Sequence, residues 1–172
     1  RRSHFAHYPK SVCKDSWAGS YDMSDWHYDW QNSVPKDNQE VMLTLGDIKH
    51  RADVLIGRTV TEFQRSDISS KAFSDRNNFY FNLGYKVIWV FDFREQFASG
   101  RLRCEADRKT FHWTKPRNTF NLYEIMTGQV ELFFQIEDDG ENALVKIANV
   151  SPSGFEQFTV SNWFSKDQFL KY

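Results

Sequence analysis

Three short runs with the alternating pattern of β-strands stand close together, and a helical stretch separates them from a fourth, apolar run. The three runs are residues 40–45, 52–56 and 59–64. Gly57 and Arg58 form a tight link between the last two, which is a hairpin signal. A helix beginning at Ser66 or Ser69 then leads to residues 86–93. This order predicts an antiparallel meander followed by a helical crossover to a parallel fourth strand.

The segments on either side of this core have weaker patterns. Residues 1–23 show no period and are assigned to an N-terminal arm, and Ser24 is the expected N-cap of a short helix at about 22–33. That helix and the four strands form the expected core, residues 24–95. A β-rich C-terminal extension packed on the core is expected at residues 96–172. Its predicted strands are 110–114, 121–125, 129–137 and 143–150.

Length and composition restrict the class of protein. The 172 residues suffice for one domain with a core, and 40% hydrophobic content favours a globular α/β fold over disorder. No apolar run approaches the ~20 residues that span a bilayer, and no signal peptide is visible. The first residue is Arg1, which leaves room for a segment upstream. Cys13 and Cys104 form no CxxC pair, so reduced thiols in a cytoplasmic protein are expected, and a single disulfide is the alternative.

Two acids lie within the second and third strands. If these strands pair through their tight link, Asp53 and Glu62 come together at one end of the hairpin. Two carboxylates can hold a hard cation such as Mg²⁺, which activates a water and stabilises charge on a phosphodiester. The alternative is a pair of exposed charges at strand ends. The apolar residues around both acids argue against it, because an acid among core residues needs a partner or a metal.

The spacing matches the pattern Asp-x(n)-Glu-x-Lys, except that Gln64 occupies the final position. A lysine would add positive charge and help to orient the attacking water. Glutamine can hydrogen-bond the water but carries no charge and cannot act as a base at neutral pH. His27 on the upstream helix is a second candidate for this positioning role.

Several motifs in the first half of the chain share one family pattern. They are RADV at 51–54, TEFQRSDIS at 61–69, Arg76, Tyr80 and IWVF at 88–91, with HFAH at 4–7 and SDWH at 24–27. At these spacings they resemble the competence protein CoiA-like family, over about residues 1–93. The resemblance implies a PD-(D/E)xK nuclease, a restriction-endonuclease-like core with a mixed sheet, and a role in DNA uptake, processing or recombination.

The resemblance also implies roles for particular residues. Asp53, Glu62 and Asp25 become the ligands of Mg²⁺ or Mn²⁺, with Asp25 at the position of a helix-borne acid in the family. His27 becomes the family histidine, and Gln64 stands where the family has lysine.

DNA contacts are expected beside this centre. The candidates are Arg51, Arg65, Ser66 and Arg76. Arg76 can equally form an ion pair with Asp75 or Glu62, and Ser66 can simply start the helix. The sequence leaves both pairs of alternatives open.

His4, His7 and Cys13 form a second histidine and cysteine group in the arm. A zinc site there lacks a fourth protein ligand, so an arm that closes over the active site is the favoured interpretation.

The sequence thus predicts a Mg²⁺-dependent deoxyribonuclease with DNA as its partner, and leaves a homodimer open. The main alternative is a DNA-binding or processing partner on a nuclease scaffold that no longer cleaves. The Gln64 position and the net charge of −1 favour that alternative. A third interpretation places an interaction function in the β-rich tail.

Overall fold

A computed structural model describes residues 25–116, 120, 122–152 and 154–172 of the chain. The strands are β1 Gln39–Leu45, β2 Ile48–Ile56, β3 Thr59–Gln64, β4 Lys86–Asp92, β5 Leu102–Cys104, β6 Thr110–Trp113, β7 Val130–Asp138, β8 Glu141–Ser151 and β9 Gly154–Phe164. The helices are α1 Asp25–Gln31, α2 Ser70–Asn82, α3 Arg94–Ala98, α4 Leu122–Met126 and α5 Lys166–Phe169. The predicted N-terminal arm, with Ser24, His4, His7 and Cys13, lies outside the described residues.

The strands form one nine-stranded mixed sheet in the order β1-β2-β3-β4-β7-β8-β9-β6-β5. β1, β2 and β3 pair antiparallel, and β3 pairs in parallel with β4, as the sequence predicts. α2 makes the crossover between these parallel strands. Ser69 caps it by accepting a hydrogen bond from Ala72 N at 3.1 Å. Gly84 follows its last turn at φ +76°, a conformation that favours glycine.

The C-terminal half continues the same sheet. β7 lies beside β4 in parallel, and β8, β9, β6 and β5 follow it with antiparallel pairing. The turn between β7 and β8 has Asp139 at φ +51° and Gly140 at φ +80°, positive values that a tight β-hairpin turn requires. The capping box of Ser165 with Gln168 is present at α5. β5 and β9 were not predicted from the sequence.

One predicted strand is wrong. Residues 121–125 were expected to be extended, but Leu122–Met126 form the short helix α4. Thr127 N continues the helical pattern with a 3.0 Å hydrogen bond to Tyr123 O, and Gly128 follows at φ +72°. A run of five residues is too short for its apolar period to distinguish a strand from a helix.

Alternate residues of β4 face two separate cores. Trp89 and Phe91 join the core beneath α2, whereas Val90 joins the core beneath α1. Trp26, Trp30 and Trp89 are all buried in these two cores. The two helices therefore cover opposite faces of the sheet, and the candidate site lies on β2 and β3 between them. None of the described helices is both long and apolar enough to cross a membrane.

The cap at Ser69 gives a test of this crossover. Ser69→Ala should lower the free energy of unfolding by about 1 kcal/mol, because Ala72 N loses its acceptor. Ser70→Ala, one residue further on and also exposed, is the matched control and should change it by less than about 0.5 kcal/mol. Urea unfolding of both variants measures the difference, and equal effects would contradict the capping role.

Candidate active site

The two acids lie on β2 and β3 at the open end of their pairing, away from the turn. Val54 pairs with Thr61, and Asp53 and Glu62 are the next residue on each strand. Both belong to the buried polar residues, with Glu62 only 1% exposed. In the parallel pairing, Glu62 stands opposite Trp89 in the middle of the sheet. The sheet interior thus brings both carboxyl groups out of bulk water at one end of the hairpin.

Asp53 is held from two sides. Its Oδ2 accepts a 2.8 Å hydrogen bond from Phe63 N, and its Oδ1 lies 3.3 Å from His27 Nε2. His27 is buried on α1, with its ring edge-on to Phe63 at a centroid distance of 5.8 Å. The Asp53 carboxylate therefore ties the start of α1 to the backbone of β3.

Glu62 is held from α2. Its Oε1 accepts a 2.5 Å hydrogen bond from the Tyr80 hydroxyl, and its Oε2 lies 2.7 Å from Arg76 Nη1. Arg76 and Tyr80 are four residues apart, so they share one face of the helix. Asp75 pairs instead with Lys71, at 2.5 Å. Of the two ion pairs that the sequence left open for Arg76, the structure has the one with Glu62.

Burial dominates the electrostatics of the pair. It raises the pKa of Glu62 from 4.5 to about 7, and the charge of Asp53 raises it further, while Arg76, Tyr80 and His27 lower it. Burial and then the charge of Glu62 raise the pKa of Tyr80 above its ordinary value, which keeps the phenol protonated as a donor. Burial therefore makes the protonated form of Glu62 more favourable than it is in water. A cation beside it would favour the ionised form.

Gln64 and Asp25 lie towards the solvent. Gln64 is two residues after Glu62 and therefore on the same side of β3, but its Nε2 donates to Ser66 O at 2.8 Å and to Ser66 Oγ at 3.0 Å. Asp25 is exposed at the first residue of α1. The structure thus gathers Asp53, Glu62 and His27 into one cluster, and leaves the other two candidates at exposed or half-exposed positions.

Tyr80 is a site residue to which the sequence assigned no role. Its spacing of four from Arg76 was the available signal, because two donors on one helix face can grip a single carboxylate. A buried network continues along α2 from this point. Asn77 accepts from Trp89 Nε1 at 2.8 Å and donates to Glu124 Oε2 at 2.5 Å.

The predicted DNA contacts are spread along the same edge. Arg51 is exposed and forms an ion pair with Glu40, in which Nη1 lies 3.7 Å from Oε2. Arg65 and Ser66 follow the last residue of β3 and are both exposed. Arg65 Nε lies 3.5 Å from Asp92 Oδ2, at the end of the neighbouring strand.

The carboxylates of Asp53 and Glu62 fit a divalent cation if Glu62 gives up one of its present hydrogen-bond partners. Among the described residues, no three His, Cys, Asp or Glu side chains are arranged to hold a metal ion. Mg²⁺ needs only one or two carboxylates, since waters and substrate phosphates complete its octahedron. Asp53 and Glu62 meet that need if Glu62 exchanges one of its two α2 partners for the ion.

Most of the chain matches one protein-family model. The family model described as competence protein CoiA, nuclease-like domain, matches residues 28–168. The match includes both central acids and the C-terminal strands, and it begins one residue after His27. No curated protein and no solved structure gives a significant match.

The raised pKa of Glu62 predicts a pH-dependent difference in stability. The folded state binds this proton more tightly than the unfolded state, so the stabilisation is complete at low pH and is lost as pH rises through about 7. Relative to Glu62→Gln, the wild type should therefore lose up to about 3 kcal/mol between pH 5 and pH 8. Urea unfolding of both proteins in EDTA measures this. Parallel pH profiles would show that Glu62 has an ordinary pKa.

Proposed function

We propose that the chain, which belongs to the family of the competence protein CoiA nuclease-like domain, hydrolyses phosphodiester bonds in DNA with a bound Mg²⁺ or Mn²⁺ ion. The observation that carries the proposal is the pair of buried acids on neighbouring strands, Asp53 in β2 and Glu62 in β3. Burying two carboxylates side by side costs free energy, which a divalent cation would offset. Perturbed titratable groups of this kind concentrate at functional sites.

Asp53 and Glu62 are the residues that would hold the ion. When bound, it would lower the pKa of a water and offset the charge that develops on the phosphate. Asp53 is prepared for this role because Phe63 N and His27 fix the direction of its carboxylate. Asp25, on the solvent side of α1, is the proposed third acid.

Arg76 has two states in this mechanism. It supplies the positive charge beside Glu62, so a divalent cation must compete with it for Oε2. A guanidinium that leaves Glu62 can donate to a phosphate oxygen, which is a favourable charge-assisted hydrogen bond. The same arginine then stabilises the site before the substrate arrives and binds the substrate afterwards.

His27 and Gln64 orient the attacking water in this proposal. The His27 ring is fixed by its contact with Asp53, so one of its nitrogens can hydrogen-bond a water. Gln64 can hydrogen-bond a water but adds no charge, so the ion and Arg76 must supply the electrostatic stabilisation that a lysine would share.

A DNA-binding partner that does not cleave is the second candidate. The satisfied hydrogen bonds of Glu62 favour it, because both of its oxygens already have donors from α2. The glutamine at position 64 favours it as well. This candidate retains DNA binding but needs no metal.

A plasmid-nicking assay separates the two candidates. Wild type should cut DNA with Mg²⁺ or Mn²⁺ and stop in EDTA, and Asp53→Ala and Glu62→Ala should each lose at least about 100-fold in rate. Asp47→Ala removes an exposed acid from the β1–β2 turn and is the matched control. Thermal melts show whether each variant is folded. A wild type that binds DNA without cutting supports the second candidate, and acid variants that cut like the parent contradict the metal site.

Metal binding can be measured without activity. Mn²⁺ should raise the melting temperature of the wild type, because an ion that binds only the folded state stabilises it. Asp53→Asn should abolish most of that rise while leaving the fold intact. Equal rises in wild type and variant would place the ion elsewhere.

A further inference from the structure

A buried acid that the proposed mechanism does not use lies at the same edge of the sheet. Asp92 is the last residue of β4 and follows Phe91, which pairs with Gln64. Its side chain is 6% exposed. Since β3 and β4 are parallel, Asp92 and Arg65 emerge together where both strands end.

Asp92 holds two arginines. Its Oδ1 accepts from Arg94 Nε at 2.8 Å, and its Oδ2 accepts from Arg94 Nη2 at 2.8 Å, which is a two-point fork. Arg65 Nε lies 3.5 Å from the same Oδ2. One buried carboxylate thus keeps two guanidinium groups beside each other, at the carboxyl ends of the parallel strands.

Arg65, Asp92 and Arg94 together have one more positive than negative charge, and Glu137 acts on Arg94 from outside this group. Two guanidinium groups share one carboxylate, and each carries five N–H donors in a fixed plane. The Arg65 side chain is 59% exposed and that of Arg94 is 30% exposed, so both reach solvent. If the only role of Asp92 were to anchor the start of α3, its pair with Arg94 would be sufficient. The nearby Arg65 adds a second cation that α3 does not need.

We propose that Arg65 and Arg94, oriented by Asp92, bind a backbone phosphate of the DNA strand beside the Asp53–Glu62 site. This rests on the proposed function, since it assumes that the chain acts on DNA. Arg94 becomes a further DNA contact, and Asp92 is a positioning residue that acts through both arginines.

For Asp92→Asn, a simple charge effect and our positioning proposal predict opposite changes in DNA affinity. Asp92→Asn makes the protein more positive by one charge, so simple attraction to DNA would tighten binding. Loss of the carboxylate also frees both guanidinium groups to move, so our proposal expects weaker binding. Glu137→Gln is the matched control, since exposed Glu137 acts on Arg94 only through its charge. It should leave DNA affinity unchanged or increase it.

The experiment is fluorescence anisotropy with labelled single-stranded and duplex DNA in EDTA, at several salt concentrations. Arg65→Ala and Arg94→Ala should each weaken binding about threefold to tenfold. Each should also reduce the slope of log affinity against log salt concentration by about 1, because one phosphate contact is lost. Arg58→Ala removes the same charge at the opposite end of β3 and should have a smaller effect on affinity. Arg94→Lys keeps the charge but loses the fork, and should behave like Asp92→Asn. Thermal melts show whether Asp92→Asn is folded, and Arg94→Lys carries the test if it is not.

The outcomes separate this inference from the proposed function. Wild type that binds no DNA even at low salt overturns both. Wild type that binds while both arginine variants bind equally well overturns only the phosphate site. A folded Asp92→Asn variant that binds DNA as tightly as wild type, or more tightly, overturns the positioning role of Asp92.

Discussion

A carboxylate in the interior of a sheet must be given partners, and Glu62 shows how this chain supplies them. The side chain is 1% exposed, and its two oxygens take a hydroxyl from Tyr80 and a guanidinium from Arg76. Both donors come from one face of α2, so the crossover helix is held over β3 by a polar contact as well as by its apolar core. The site and the α2–sheet contact therefore depend on the same interaction.

The parallel arrangement of β3, β4 and β7 explains why polar groups collect at one edge. β3 and β4 end at Gln64 and Asp92, and Asp92 pairs with Gln135 of β7. Gln135 Oε1 accepts from the indole nitrogens of both Trp26 and Trp30, which seats α1 on the sheet. α1 in turn brings His27 to Asp53. The fold thus approaches the two acids from opposite faces, with α1 on one and α2 on the other.

Local pattern was sufficient for much of the framework. The alternation of the first strands, the tight link at Gly57 and the cap at Ser69 predicted β1, β3, β4 and α2 close to their observed bounds, whereas β2 begins at Ile48, four residues before its predicted start. The pattern failed where runs were short or their partners distant. The five residues of α4 were taken for a strand, and β9 was missed although it is 11 residues long. A strand that is stabilised mainly by packing against neighbouring strands has only a weak sequence pattern of its own.

The sequence by itself determined that two acids stand in adjacent strands beside a glutamine, and so predicted the centre of the candidate site. Only the tertiary structure decided which partner Arg76 takes, that Tyr80 shares Glu62, and that Asp92 holds Arg65 and Arg94. The reason is that desolvation and ion pairing depend on which groups meet across the sheet. Strand order sets those neighbours, and no local periodicity encodes it.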